Sequence, residues 1–358
     1  MGMGIKTPIY RHLLTAALLL LGALAVVSCD VHEFPDAPEP PAPKRQITVE
    51  LTFEHELPLF QLVEYDRNGT VVRTRALEYE RRYILKAYST SRGELSRNEE
   101  AVWTFTRGSA DPGDAVFDID MPEGDYVLMV WSDFIDAGSG IDKHYTTADF
   151  ADISLIDREH HPGSDETRDA FRGTAEVSAT DRKVTVTMER PLARYTFIST
   201  DLDAFLDTRG HNVKEESSQA DGGSSDSRDP GRAIDLSAYG VRFTYPQYMA
   251  RSFNMFTNRP ADSWTGVRYE SDLKVIDSNH AQVGFDYVFV NSHDTSVNVS
   301  VEVYDRKDGT VLARIRPVDV PLSRSKHTYV AGPFLTATAG GSAGIDPDFD
   351  GEFNIWIQ

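Results

Sequence analysis

Ile47-Thr48-Val49-Glu50-Leu51-Thr52-Phe53 alternates apolar and polar residues without a break. On an extended strand successive side chains point to opposite faces, so Ile47, Val49, Leu51 and Phe53 share one face and Thr48, Glu50 and Thr52 the other. The same period recurs at Val184, Val186 and Met188, and at Val297, Val299, Val301 and Val303. Each stretch reads as a half-buried strand, one face on a core and one in water, as antiparallel sheets present them. Tyr126 to Trp131 (YVLMVW) is instead apolar throughout. That predicts a central strand covered on both faces, entered through the turn residues Pro122-Glu123-Gly124-Asp125.

Further strands are expected over 81–89, 101–106, 115–120, 171–178, 193–200, 240–245, 284–290 and 326–335. No amphipathic helix of length stands out. The best short one is 202–207 (LDAFLD), with Asp201 as its N-cap. Short strands with frequent turns predict an all-β chain of two tandem antiparallel β-sandwiches. The boundary is placed near Glu189–Leu192, where Pro191 interrupts, giving domains over 46–190 and 191–339. Tyr65-Asp66-Arg67-Asn68-Gly69-Thr70-Val71-Val72 echoes Tyr304-Asp305-Arg306-Lys307-Asp308-Gly309-Thr310-Val311-Leu312, each a strand, a Gly-centred turn and a strand. The echo fits either the common chemistry of hairpins or two related β-modules. Residues 207–232 are nearly devoid of apolar side chains and are expected to form a mobile insertion. A Gly-rich hinge opens the C-terminal segment 340–358. Its alternation at Phe353, Ile355 and Ile357 predicts a terminal strand that docks on its own sheet or pairs with another subunit.

The chain has 358 residues, with 36 Lys and Arg against 56 Asp and Glu, for a net charge of −20. That balance argues against nucleic acid as a partner, since such binding needs a basic footprint. With 40% apolar residues, packed cores are within reach. One cysteine, Cys29, excludes an intrachain disulfide, thiolate zinc cages and CxxC redox chemistry.

Cys29 stands at an informative place. Lys6 and Arg11 form a short positive region, and Leu13 to Val27 follow without a charge. This run is shorter than the ~20 residues of a spanning helix and matches the core of a signal peptide. It closes on Val26-Val27-Ser28-Cys29, which resembles the lipobox of bacterial lipoproteins. The likeness implies a signal peptide at 1–28 and acylation of Cys29. An ordinary secretory signal with an incidental cysteine is the competing reading; the uniqueness and position of Cys29 favour acylation. Residues 29–45 then form a lipidated, acidic, Pro-rich stem containing Asp30, Glu33, Asp36 and Glu39. As polyproline II, residues 30–43 would span roughly 40 Å.

Signs of catalysis are sparse. The chain lacks GxSxG, P-loop, GxGxxG and HExxH patterns. His160-His161, among Asp157, Glu159 and Asp165, is expected in a solvated loop. Asp346, Asp348 and Asp350 spell the start of a calcium loop, but Ile357 stands where an EF-hand needs its bidentate Glu. The expectation is an Asp-rich turn, with no metal, no cofactor and no enzymatic activity. Trp103, Trp131, Trp264 and Tyr269 are the candidates for a glycan-stacking platform, and Trp264, beside Asp262 and Ser263, is the one expected in an exposed loop.

Several stretches carry a family likeness: Cys29-Asp30-Val31-His32-Glu33-Phe34-Pro35, residues 122–133 (PEGDYVLMVWSD), 169–173 (DAFRG), 190–197 (RPLARYTF) and 344–355 (GIDPDFDGEFNI). Together they resemble the anchor or minor-subunit lipoproteins of Bacteroidales fimbriae and a lipoprotein family close to them. The resemblance implies two transthyretin-like β-sandwiches behind a lipidated cysteine. It also implies a surface-export signal, which Asp30, Glu33 and Asp36 would fulfil. The expected role is a structural one in the outer membrane, as a fimbrium anchor or minor subunit held by lipid at Cys29, with fimbrial subunits as partners through β-strand addition. The alternative is a surface adhesin that binds glycan or host protein.

Overall fold

The computed structural model describes residues 43–54, 78–90, 100–109, 115–209 and 235–337 in full, and the backbone of short strands at 63–65, 71–74, 343–345 and 353–357. In chain order the first strands are β1 (Lys44–Phe53), β2 (Val63–Tyr65), β3 (Val71–Thr74), β4 (Tyr79–Ser89), β5 (Trp103–Ser109), β6 (Ala115–Pro122) and β7 (Tyr126–Asp136). Next come β8 (Tyr145–Thr146), β9 (Ile153–Leu155), β10 (Phe171–Val177), β11 (Lys183–Met188) and β12 (Leu192–Ser199). Helix α1 (Leu202–Thr208) follows. The remaining strands are β13 (Tyr239–Asn254), β14 (Arg259–Asp272), β15 (Lys274–Val275), β16 (Ala281–Phe289), β17 (Thr295–Asp305), β18 (Val311–Leu322), β19 (His327–Gly332), β20 (Ala343–Ile345) and β21 (Phe353–Ile357). The chain is all-β.

The alternating stretch at 47–53 becomes β1, at the centre of a sheet ordered β11-β1-β6. Its Ile47, Val49, Leu51 and Phe53 are buried with Phe117, Ile119 and Met121 of β6 and Val186 and Met188 of β11. A second sheet, β10-β7-β4-β5, closes this core with Tyr83, Leu85, Leu128, Val130 and Phe171. The second sandwich pairs β15-β16-β12-β19-β21-β20 with β18-β17-β13-β9-β8, and β14 adds to β13. Its core includes Phe197, Phe243 and Phe285, with Phe197 and Phe243 edge to face at 5.5 Å.

The sheets are not purely antiparallel, as the alternation predicts. β1 runs parallel to β11, β12 parallel to β19 and β19 parallel to β21. Side-chain periodicity reports which face is buried and is blind to the direction of the neighbouring strand.

β7 is the doubly covered strand that its unbroken apolar run predicts. Leu128 and Val130 enter the first core, whereas Met129 and Trp131 enter the second. Their cover is the segment between β7 and β10. After Asp136 the chain leaves the first sheet, adds β8 and β9 to the edge of β13, and returns at Phe171. Residues 145–155, inside the 46–190 stretch, thus belong to the sheet of the second sandwich. Arg82 ties this segment down by an ion pair to Asp142 at 2.7 Å, while gripping Asp133 of β7 with two hydrogen bonds. Lys86 Nζ donates to the carbonyls of Thr147 and Ala148.

Four of the strands escape the sequence pattern. β14 and β18 carry many exposed polar residues, and β8 with β9 is too short for a period to register. Helix α1 starts where predicted, but Asp201 makes no side-chain cap to it. Its buried carboxylate instead accepts hydrogen bonds from the Leu335 and Thr336 amides, the Thr336 hydroxyl and the Ser199 hydroxyl.

Candidate interaction surface

Cys29, residues 30–42 of the acidic stem, the insertion from residue 210 to 232 and Asp346, Asp348 and Asp350 lie outside the described residues, while Lys44 and Arg45, expected at the end of the stem, open β1. Among the described residues no three His, Cys, Asp or Glu side chains converge as metal ligands, and no helix is long and apolar enough to cross a membrane. The C-terminal alternation does form a strand: β21 lies parallel to β19 and antiparallel to β20 in the sheet of its own chain.

The four aromatic residues considered for a glycan platform are not brought together. Trp131 is wholly buried and Tyr269 nearly so. Trp103 stacks on Phe105 at 6.0 Å beside the first core. Trp264 is half-buried on β14, opposite Met249, and not in a loop. The two adjacent histidines also part company. His160 is exposed and bonds Asp157, whereas His161 is buried against Asp286 in place of the expected solvated loop. His160 closes a turn whose amides bond Asp157, and the chain leaving that turn carries His161 into the core.

His161 belongs to a buried polar network. Asp286 accepts hydrogen bonds from His161 Nε2 at 2.7 Å, from the Tyr245 hydroxyl at 2.7 Å and from Arg168. The Tyr195 hydroxyl bridges those of Tyr245 and Tyr269, at 2.7 and 3.1 Å. Arg190 holds Asp169 by two bonds, and Arg194 holds Glu166 likewise. Burial, reinforced by the Arg168 cation, holds His161 well below its ordinary pKa. Burial raises the hydroxyl pKa of Tyr195, Tyr245 and Tyr269. Buried charges must be paired or hydrogen-bonded to be tolerated, and Arg168 with Asp286 and Arg190 with Asp169 are paired in this way.

An accessible site lies elsewhere. β13 pairs with β17 only as far as Thr244 opposite Ser300. Beyond it, Pro246 lacks an N–H and the register with β14 shifts between Tyr245 and Tyr248. β13 then veers away from β17, and a groove of about 390 Å³ opens between them. Its floor includes Val288, Phe289, Val290 and Val297, all buried. Its rim carries Tyr248, Asp262, Ser263, Asn291, Thr295 and Ser296. Tyr248 is 75% exposed, far more than any other described aromatic residue of this sandwich. Asp262 is engaged by Arg251 at 2.6 Å, and this bond keeps its carboxyl below the usual range. The sequence signal for this site was the Pro in Tyr245-Pro246-Gln247-Tyr248, which ends the alternation of 240–245 and marks a bulge. The groove itself is made by residues far apart in the chain.

No curated protein matches the chain. Among solved structures it is similar to the fimbrial anchor protein Mfa2 from Porphyromonas gingivalis, at 11% identity over 76% of this chain and 82% of that one, with a TM-score of 0.35. A candidate cell adhesion protein from Bacteroides ovatus is similar at 10% identity, covering 81% of this chain and 92% of that one, TM-score 0.42. Another from Bacteroides eggerthii is similar at 13% identity, covering 88% and 96%, TM-score 0.40. Residues 25–358 match the model of a family of unknown function, DUF6562, and the chain belongs to that family.

Proposed function

We propose that the chain is a lipoprotein of the outer membrane, acylated at Cys29 and displayed at the cell surface, with a structural and non-catalytic role as a fimbrium anchor or minor subunit. The observation that carries this reading is the placement of the one cysteine. It follows an uncharged apolar run and precedes a Pro-rich acidic stem. Cleavage before Cys29 would leave the two sandwiches on a tether. Several acyl chains then hold the protein stably, at ~0.8 kcal/mol per buried CH₂. Fimbrial subunits would join by β-strand addition, with the 353–357 strand as the element to exchange.

The test is fractionation of cells carrying Cys29→Ala. The variant should leave the membrane fraction and lose incorporation of labelled palmitate. Retention in membranes after a carbonate wash would sink the lipid anchor. Deleting the gene should alter fimbrial length or retention. Unchanged fimbriae, with no subunit co-purifying, would remove the fimbrial role while leaving the anchor intact.

A further inference from the structure

We propose that the groove between β13 and β17 is a saccharide-binding site, with the ring of Tyr248 as its stacking surface. The volume, about 390 Å³, falls within the usual range of small-ligand sites, and the buried Val288–Val290 floor makes it a formed concavity. The chemistry of the rim selects the ligand. The side chains of Tyr248, Ser263, Asn291, Thr295 and Ser296 make no hydrogen bond within the described residues. They offer a phenol, an amide and three hydroxyls, each able to donate and accept. A sugar hydroxyl does both as well, and needs partners of this kind.

Charge argues the same way. The one ionised rim residue, Asp262, is already bonded to Arg251. The rim therefore presents no free cation for phosphate or carboxylate, and a chain of net charge −20 repels anions at a distance. A neutral, hydroxyl-rich molecule is favoured. An aromatic ring exposed to this degree supplies the apolar surface against which the C–H face of a pyranose packs. An extended peptide fits less well. Pro246 and Pro260, at the β13 and β14 edges, lack the N–H groups that a continuous ladder requires, and the register of β13 is already broken beside them.

This inference is independent of the anchor and of the fimbrial role. The test is saturation-transfer NMR and calorimetry on the full chain in detergent. The probes are neutral oligosaccharides built from glucose, galactose, mannose and N-acetylglucosamine, with maltodextrin and cellodextrin series among them. At least one probe should bind. Tyr248→Ala should weaken that binding about tenfold, while Tyr248→Phe, which keeps the ring, stays within about threefold. Asn291→Ala should weaken it by a similar factor through loss of the amide. Because Tyr248 is exposed, the variants should fold, which their unfolding midpoints verify. No binding by any probe at about 10 mM, binding untouched by Tyr248→Ala, or displacement of the sugar by an extended peptide would overturn the proposal.

Discussion

His161 Nε2 and Asp286 Oδ2 stand 2.7 Å apart, and both side chains are completely buried. The imidazole is held neutral in the fold by burial and by neighbouring Arg168. His144, bonded to the Thr167 hydroxyl, is pushed down to about 4, and His327 to about 3, both chiefly by burial. In the unfolded chain a histidine titrates near ~6.5. Between that value and the lower folded ones, the unfolded state binds more protons, so stability rises with pH. Stability should therefore be fully present above about pH 6.5 and decline below it, by up to ~1.4 kcal/mol per pH unit for each such histidine. Urea midpoints measured from pH 7.5 to 5 check this. His161→Gln should flatten the curve, and identical midpoints at pH 7.5 and 5.5 would contradict the buried neutral state.

Trp131 of β7 meets Tyr145 of β8 edge to face at 5.6 Å, and Tyr145 in turn meets Phe289 of β16 at 5.5 Å. These rings join the outer face of the first sandwich to the second core. Trp131→Ala should cost ~3–5 kcal/mol. A double-mutant cycle with Tyr145→Leu should return a coupling of ~0.5–1.5 kcal/mol. Additive losses would mean that the two rings act independently.

Asp201 anchors the turn at 334–336 instead of capping its helix. Asp201→Ala takes the acceptor from the buried Leu335 amide and from the Thr336 amide beside it, and should destabilise by roughly 1–3 kcal/mol. Asp203→Ala, on the exposed face of the same helix, should stay within ~0.5 kcal/mol. Equal effects at the two positions would return Asp201 to an ordinary helix-start role.

Gly284 admits Phe243, whose ring lies where a side chain would begin: a Cβ would sit 2.5 Å from Cε2. Phe243 has little freedom to yield, being stacked on Tyr269 at 4.7 Å and edge-on to Phe197. Gly284→Ala should cost ~1–3 kcal/mol from overpacking. Thermal unfolding beside Gly138→Ala separates steric from backbone effects, because Gly138 has open space but a φ of +72°.

Sequence pattern reveals what a strand does with its two faces and little about its neighbours. The alternation at 47–53 and 297–303 and the unbroken run at 126–131 were readable because burial repeats every second residue there. β14 was not, because its first half, Arg259 to Gly266, lies largely in solvent and carries no period. The excursion of 137–170 into the second sandwich was hidden for a different reason. Two of its anchors, His161 and Arg168, are fixed by Asp286, more than a hundred residues away. The groove shares this dependence: Tyr248 and Asn291 become neighbours only once β13 and β17 diverge.

The parallel pairing of β1 with β11 bears on how the protein comes to be folded. Arg45 donates to the Asp181 carbonyl across 136 residues of sequence, and Thr48 pairs with Lys183. A chain that emerges N-terminus first therefore presents β1 long before its partner exists. Until then β1 offers an apolar, hydrogen-bonding edge to any other chain. High contact order of this kind slows folding, so assembly of the first sandwich waits on the synthesis or export of β11. The interval is one in which a holding chaperone would matter most, and in which β6, antiparallel and nearer in sequence, is the first strand able to shield β1.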